Sequence, residues 1–190
     1  TVVRSGCMAK DADMILSEFI LLGIGGKELS EENAAQTAKA LNIIQPDFIR
    51  VHATGIKLES KLGEFVRDGS FTLQSEEEIV IEQKLFLQQL HEMDSYYVNE
   101  HIVNLLLEVR GNLRTEKQEM LSTIDRFLTL PPDERLLFTV GRRLNIFFRL
   151  DDLKKPKLHQ KAGESLQQIL SKNPHVDFAA LCNYVRQSQI

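Results

Sequence analysis

The segment from Glu18 to Ala53 constrains the fold more than any other part of the chain. It opens on a short apolar run, Glu18-Phe19-Ile20-Leu21-Leu22, that stops at Gly23-Ile24-Gly25-Gly26. A continuous apolar run ending in glycines predicts a strand buried on both faces, as in a parallel sheet. Ser30 is placed to cap a helix, with Glu31 and Glu32 at its positive end. Ala34, Ala38, Leu41 and Ile44 then recur on one helical face, and Pro46 ends the run. Asp47-Phe48-Ile49-Arg50-Val51-His52-Ala53 predicts the next strand. Strand, helix and strand in this order form a right-handed parallel crossover, because parallel strands must be joined by a long connection. The fold class expected is therefore α/β.

The rest of the chain is read more coarsely. A short helix is expected around Leu62 to Arg67, ended by Gly69. Ser75 and Glu78 have the spacing of a capping box, which predicts a helix from there to about Met93. Ser95 to Val98 reads as a short strand, and Glu100 to Leu107 as a short helix or turn. Beyond Asn112 the pattern is all helical. Thr115 and Gln118 suggest a second capping box, and Pro131-Pro132 breaks one helix and starts another. Lys154 to Lys161 reads as a basic connector containing Pro156, followed by two short helices split at Asn173-Pro174, the last capped by Asp177. Two regions are expected, 1–112 and 113–190.

Charge supports that division. Up to Asn112 there are 10 basic and 18 acidic residues, and after it 13 basic and 9 acidic. Two surfaces that attract each other across an interface explain this bias, and so does a basic tail that docks a partner. The net charge of −4 argues against sequence-independent nucleic-acid binding by the whole chain. No apolar run is long enough to span a membrane and no signal peptide opens the chain, so a cytoplasmic protein without membrane partners is expected. Cys7 and Cys182 are too few for a disulfide scaffold or a zinc site of CxxC type.

Two constellations can carry chemistry. The Gly23-Ile24-Gly25-Gly26 loop lies between a strand and a helix N-terminus, where free N–H groups favour anionic atoms. It lacks the Gly-Lys-Ser/Thr of a phosphate loop and the spacing of a dinucleotide fingerprint, so a plain tight turn explains it as well. Arg50 and His52 alternate along the second strand and share a face opposite Ile49 and Val51. That face lines either a ligand mouth or open solvent. His91, His101, His159 and His175 show no metal-ligand spacing and read as surface or capping residues. Cys182 falls on the inner side of an amphipathic helix, and nothing near Cys7 activates it.

These residues also resemble a known family. Phe19 to Glu28, followed by Pro46-Asp47-Phe48-Ile49-Arg50-Val51, is similar to the second half of a radical S-adenosylmethionine barrel. More narrowly it resembles uncharacterised members with a helical C-terminal extension. The similarity continues through Gly69-Ser70-Phe71, Ser75 to Ile79, Tyr96 to His101 and Asn104-Leu105-Leu106, and reaches Pro131-Pro132 and Gly141-Arg142-Arg143. It implies half of a parallel (β/α) barrel, entered at the fifth of six strands, followed by an all-helical region. In that family a CxxxCxxC loop holds a [4Fe-4S] cluster, which cleaves S-adenosylmethionine to a 5′-deoxyadenosyl radical. This chain has no such motif, so the resemblance implies that the cluster is ligated elsewhere. It further implies that Leu21, Gly23, Ile24 and Gly25 border the adenosyl side of the cofactor, with Arg50 and His52 facing cofactor or substrate. The relatives carry Pro-Gly-Ser/Thr-Pro-Leu after the second strand. Here Leu58-Glu59-Ser60-Lys61-Leu62 stands instead, so only Ser60 and Leu62 carry over.

Three functions are thus expected from different classes. The first is the C-terminal part of a radical S-adenosylmethionine enzyme, inactive without its cluster-binding half. The second is a non-enzymatic interaction module, and the third a small α/β protein that binds an anionic metabolite at the glycine loop. Exposed strand edges of half a barrel also invite self-association.

Overall fold

A computed structural model describes residues 2–189. Helix α1 (Val2–Asp11) precedes strand β1 (Ser17–Leu22), and helix α2 (Ser30–Ile44) carries the chain over to strand β2 (Phe48–Ala53). Helices α3 (Lys61–Asp68) and α4 (Glu76–Gln89) lead to the short strands β3 (Tyr96–Val98) and β4 (Gly111–Asn112). The sheet order is β1-β2-β3-β4, with β1, β2 and β3 parallel and β4 antiparallel to β3. The class is therefore α/β with a mostly parallel sheet, and the crossover from β1 through α2 to β2 is present as the sequence predicts.

Burial on the sheet differs from the expectation. Ile20, Leu22, Ile49, Val51, Ala53 and Tyr97 are buried under α2 and α4. Their neighbours Phe19, Leu21 and Tyr96 are 63%, 46% and 40% exposed. β1 is thus buried on one face, not both. Its apolar run is continuous because both of its faces are apolar, although only one is covered by this chain.

Local signals explain most element ends. Ser75 accepts from the Glu78 amide while Glu78 accepts from the Ser75 amide, completing the expected capping box. Gly69 ends α3 at φ +80°, a left-handed conformation that glycine adopts without strain. Ser30 does not cap α2; Leu29 holds that position without a side-chain bond. Helix α5 (Lys117–Leu128) likewise starts without the Thr115–Gln118 box, from an uncapped Glu116. Instead, the Glu116 carboxylate folds back to accept from the Asn112 amide.

The C-terminal helices share the sheet's core. Helix α6 (Pro132–Arg143) starts with Pro132 in its first turn, and its Phe138 stacks on Phe147, with centroids 5.9 Å apart. The expected connector at Lys154–Lys161 is a correction. A 3-10 turn (Leu150–Lys154) passes directly into helix α7 (Pro156–Lys172), because a proline at a first helical position starts a helix and does not break one. Helix α8 (Phe178–Gln187) is capped by Asp177, which accepts from the Ala179 and Ala180 amides. One apolar cluster runs from Ile20 through Phe86, Leu113 and Phe127 to Ala162.

Candidate functional site

The bare side of the sheet holds the most concentrated chemistry. The parallel register places Ser17, Phe19 and Leu21 beside Phe48, Arg50 and His52, and places Tyr96 and Val98 beside Phe48 and Arg50. A depression of about 240 Å³ is lined there by Phe19, Arg50, His52, Val98, Glu100 and His101. Phe19 meets His52 edge-on at 5.5 Å between centroids, and His52 lies against His101 at 4.3 Å and 34°. The Arg50 guanidinium sits 6.0 Å from the Phe19 ring and 5.9 Å from the Phe48 ring, and its Nε donates to Ser17 Oγ at 3.0 Å. Partial burial, with the nearby charges of His101 and Arg50, lowers the His52 pKa from its ordinary 6.5. A neutral His52 ring flanked by aromatic edges and a guanidinium suits a planar ring that bears a polar or anionic substituent.

The glycine loop behaves differently from the expectation of a vacant anion site. Gly23 takes φ +81°, which closes the turn after β1. Its N–H donates to Glu82 Oε1 at 3.1 Å. Ser30 Oγ donates to the other oxygen at 2.9 Å, and Asn33 Nδ2 to Oε1 at 2.7 Å. Gln74 supports this set through Ser30, donating at 2.8 Å. Glu82 is fully buried on α4 and faces the first turn of α2. The protein's own carboxylate therefore occupies the position an external anion would take.

At the C-terminal ends of the strands lies a buried charge cluster. Glu76, the first residue of α4, receives Arg143 through both oxygens, at 3.0 and 2.6 Å, and also receives Arg186 from α8. Arg143 reaches the Val103 carbonyl, Arg142 the Ile102 carbonyl and Arg186 the Thr54 carbonyl. Burial, aided by the Arg143 charge, brings Arg142 down to about 10. Nearby, Asn104 extends the edge of β2 with a side chain, accepting from the Ala53 amide and donating to the Val51 carbonyl, both at 2.7 Å.

Of the residues singled out from sequence, Leu21, Arg50 and His52 share the bare face. Gly23 is buried behind it, Ile24 is 37% exposed, and Gly25 turns against Leu29. Phe19, Tyr96 and His101 join them and were not anticipated. His101 lies three residues beyond the end of β3 and is brought to His52 by the packing of that strand, a non-local placement with no signature in spacing. Cys7 lies on α1 and Cys182 is buried on α8, where burial pushes its thiol up to about 12. Among the described residues no group of three metal-ligating side chains converges, and no helix is long and apolar enough to cross a membrane. Much of the C-terminal positive charge is engaged internally, by pairs such as Arg135–Glu77 and Arg126–Asp151. That leaves less of it to form a docking tail. Comparison with protein families, curated proteins and solved structures finds no match for this chain.

The bare face also has an unpaired flank, since β1 is an edge strand. Long apolar edges pair with other chains. The isolated chain is therefore expected to self-associate, and the double variant Phe19→Lys, Leu21→Lys to sediment as a monomer. A parent chain that sediments as a monomer at micromolar concentration contradicts this.

Proposed function

We propose that this chain is the C-terminal portion of a radical S-adenosylmethionine enzyme and that its bare sheet face is an inner wall of the barrel. One observation carries the reading. The sheet is roofed by helices on one side only, while Phe19, Leu21, Arg50, His52 and Tyr96 stand in register on the other, and among the described residues no strand pairs with the outer edge of β1. In a (β/α) barrel the helices form the outer ring and the inner residues face one another across the axis. Part of such a barrel leaves the inner rows uncovered and one edge strand without a neighbour. Further parallel strands added at β1 complete both.

In this reading Leu21 and Ile24 border the adenosyl side, and Arg50 and His52 face cofactor or substrate. Gly23 and Gly25 shape the turn; Gly23 offers no free N–H, since Glu82 takes it. The iron–sulfur cluster does not fit the residues present. Cys7 and Cys182 sit on separate helices, and Cys182 is shielded in the core. The cluster is assigned to a cysteine-bearing part of the barrel outside this chain.

The test is genetic and then spectroscopic. The codons upstream of Thr1 are expected to encode CxxxCxxC in the same frame. The extended protein, reconstituted with iron and sulfide, is expected to show a reduced [4Fe-4S] resonance and to release 5′-deoxyadenosine from S-adenosylmethionine. A stop codon before any such motif, or an iron–sulfur signal from residues 1–190 alone, overturns the proposal.

The interaction-module reading draws on the same exposed face and predicts a partner without chemistry. It gains if the upstream frame is closed. The metabolite-binding reading loses its main support, because the glycine loop already holds a carboxylate.

A further inference from the structure

Helix α8 is fastened to the rest of the protein largely by polar groups. Its fully buried side chains are Cys182, Asn183 and Arg186. Asn183 accepts from the Ile56 amide at 2.8 Å and donates to the Ile56 carbonyl at 2.9 Å, as a neighbouring strand would. Arg186 donates to the Thr54 carbonyl at 3.0 Å and pairs with Glu76. Thr54 to Ile56 leads directly out of β2, at the strand end where parallel sheets bind ligands. A helix 127 positions away in sequence thus holds the backbone at the mouth of the sheet.

Three features make this contact separable from the core. Residues 173–175, between the end of α7 at Lys172 and the Asp177 cap of α8, are all exposed. Cys182 is the one apolar side chain of α8 that is fully buried. Charge balance also favours release of Arg186. Arg142, Arg143 and Arg186 gather around Glu76 and Glu108, so one cation is in surplus. Glu76 keeps its two-oxygen contact with Arg143 when Arg186 departs, so no buried carboxylate is stranded.

We propose that α8 is a releasable strap. It leaves as a unit, frees the Thr54 carbonyl and the Ile56 backbone, and opens the mouth of the sheet next to His52 while the core stays folded. The inference rests on this geometry and not on the radical-enzyme reading, and its test needs neither cluster nor cofactor.

Native-state hydrogen exchange on the intact chain tests it, residue by residue. The Ile56 amide reports strap opening, because its acceptor is on α8. The Ala53 amide, held by Asn104, and the Thr54 amide, held by the Leu22 carbonyl, serve as controls. Ile56 and the α8 amides are expected to exchange together, about 100-fold faster than Ala53, as a sub-global opening does. Asp177→Ala removes only the exposed cap of α8 and should speed Ile56 and α8 alike by about fivefold, the effect of a lost N-cap. Arg186→Gln should do the same by about tenfold, the effect of lost charge-assisted hydrogen bonds. Both variants should leave Ala53 unchanged. One common rate for Ile56, α8 and Ala53 overturns the proposal. So does an Asp177→Ala variant whose α8 exchanges faster while Ile56 does not.

Discussion

Glu76→Ala should lower the stability of this chain by about 3–5 kcal/mol, the cost of breaking a buried ion pair from one side. Arg143 and Arg186 are 3% and 2% exposed in their side chains, and Glu76 is the carboxylate both of them share. Alanine leaves two buried guanidiniums facing each other beside a third, Arg142, without the carboxylate that pairs with both, and of the two nearby acids only Glu108 remains. The urea midpoint should fall at unchanged slope, which reports lost stability and not a changed unfolded state. The same group sets an acid limb. Burial alone raises the Glu76 pKa, but the charges of Arg143 and Arg186 outweigh it and hold the carboxyl below its ordinary 4.5. A carboxyl lowered in the fold contributes stability above its unfolded pKa, and that contribution fades as the pH falls through the folded value. The parent should therefore lose stability as the pH drops below about 4.5, and Glu76→Gln should be flatter over the same range. Equal acid slopes for the two proteins would place the linkage in other carboxylates.

The parts of this fold that were legible in sequence are those fixed by neighbours in the chain. The crossover from Ser17 to Ala53 follows from apolar period, glycines and Pro46, all within reach of one another. The Ser75–Glu78 box and the Asp177 cap are signals of three or four residues, and both are present. The candidate site was only half legible. Arg50 and His52 could be placed on one face from their alternation. Whether that face was covered could not, because Phe19-Ile20-Leu21-Leu22 has the same composition with one face bare or none. His101 joins His52 through the packing of β3 on β2, a pairing of distant residues. Glu76 and Glu82 were hidden for a different reason. Glu76 begins an acidic triplet that looks like ordinary helix-dipole complement, while Glu82 follows Ile79-Val80-Ile81 and its helical phase puts it inside. A charged residue in phase with a buried stripe was the available signal. Pro156 misled because a proline ends one helix and begins another with equal ease.

Glu82 supports the second large prediction, which also decides between readings of the glycine loop. Glu82→Ala leaves the buried Gly23 amide and the half-buried Ser30 hydroxyl without their acceptor, while Asn33 Nδ2 keeps only the Leu21 carbonyl. Stranded buried donors cost about 1–3 kcal/mol each and are not additive, so a total of about 2–4 kcal/mol is expected. For a chain of this length that lowers the melting temperature by roughly 5–10 °C. The substitution also opens a space of carboxylate size at the first turn of α2, with donors already aimed into it. Formate or acetate should therefore raise the melting temperature of Glu82→Ala in proportion to the logarithm of its concentration, since a ligand that binds only the folded state stabilises it. The parent should not respond, because its own carboxylate fills the position. A parent stabilised as strongly as the variant would mean that the loop has room for an external anion beside Glu82. That result would restore the metabolite-binding reading.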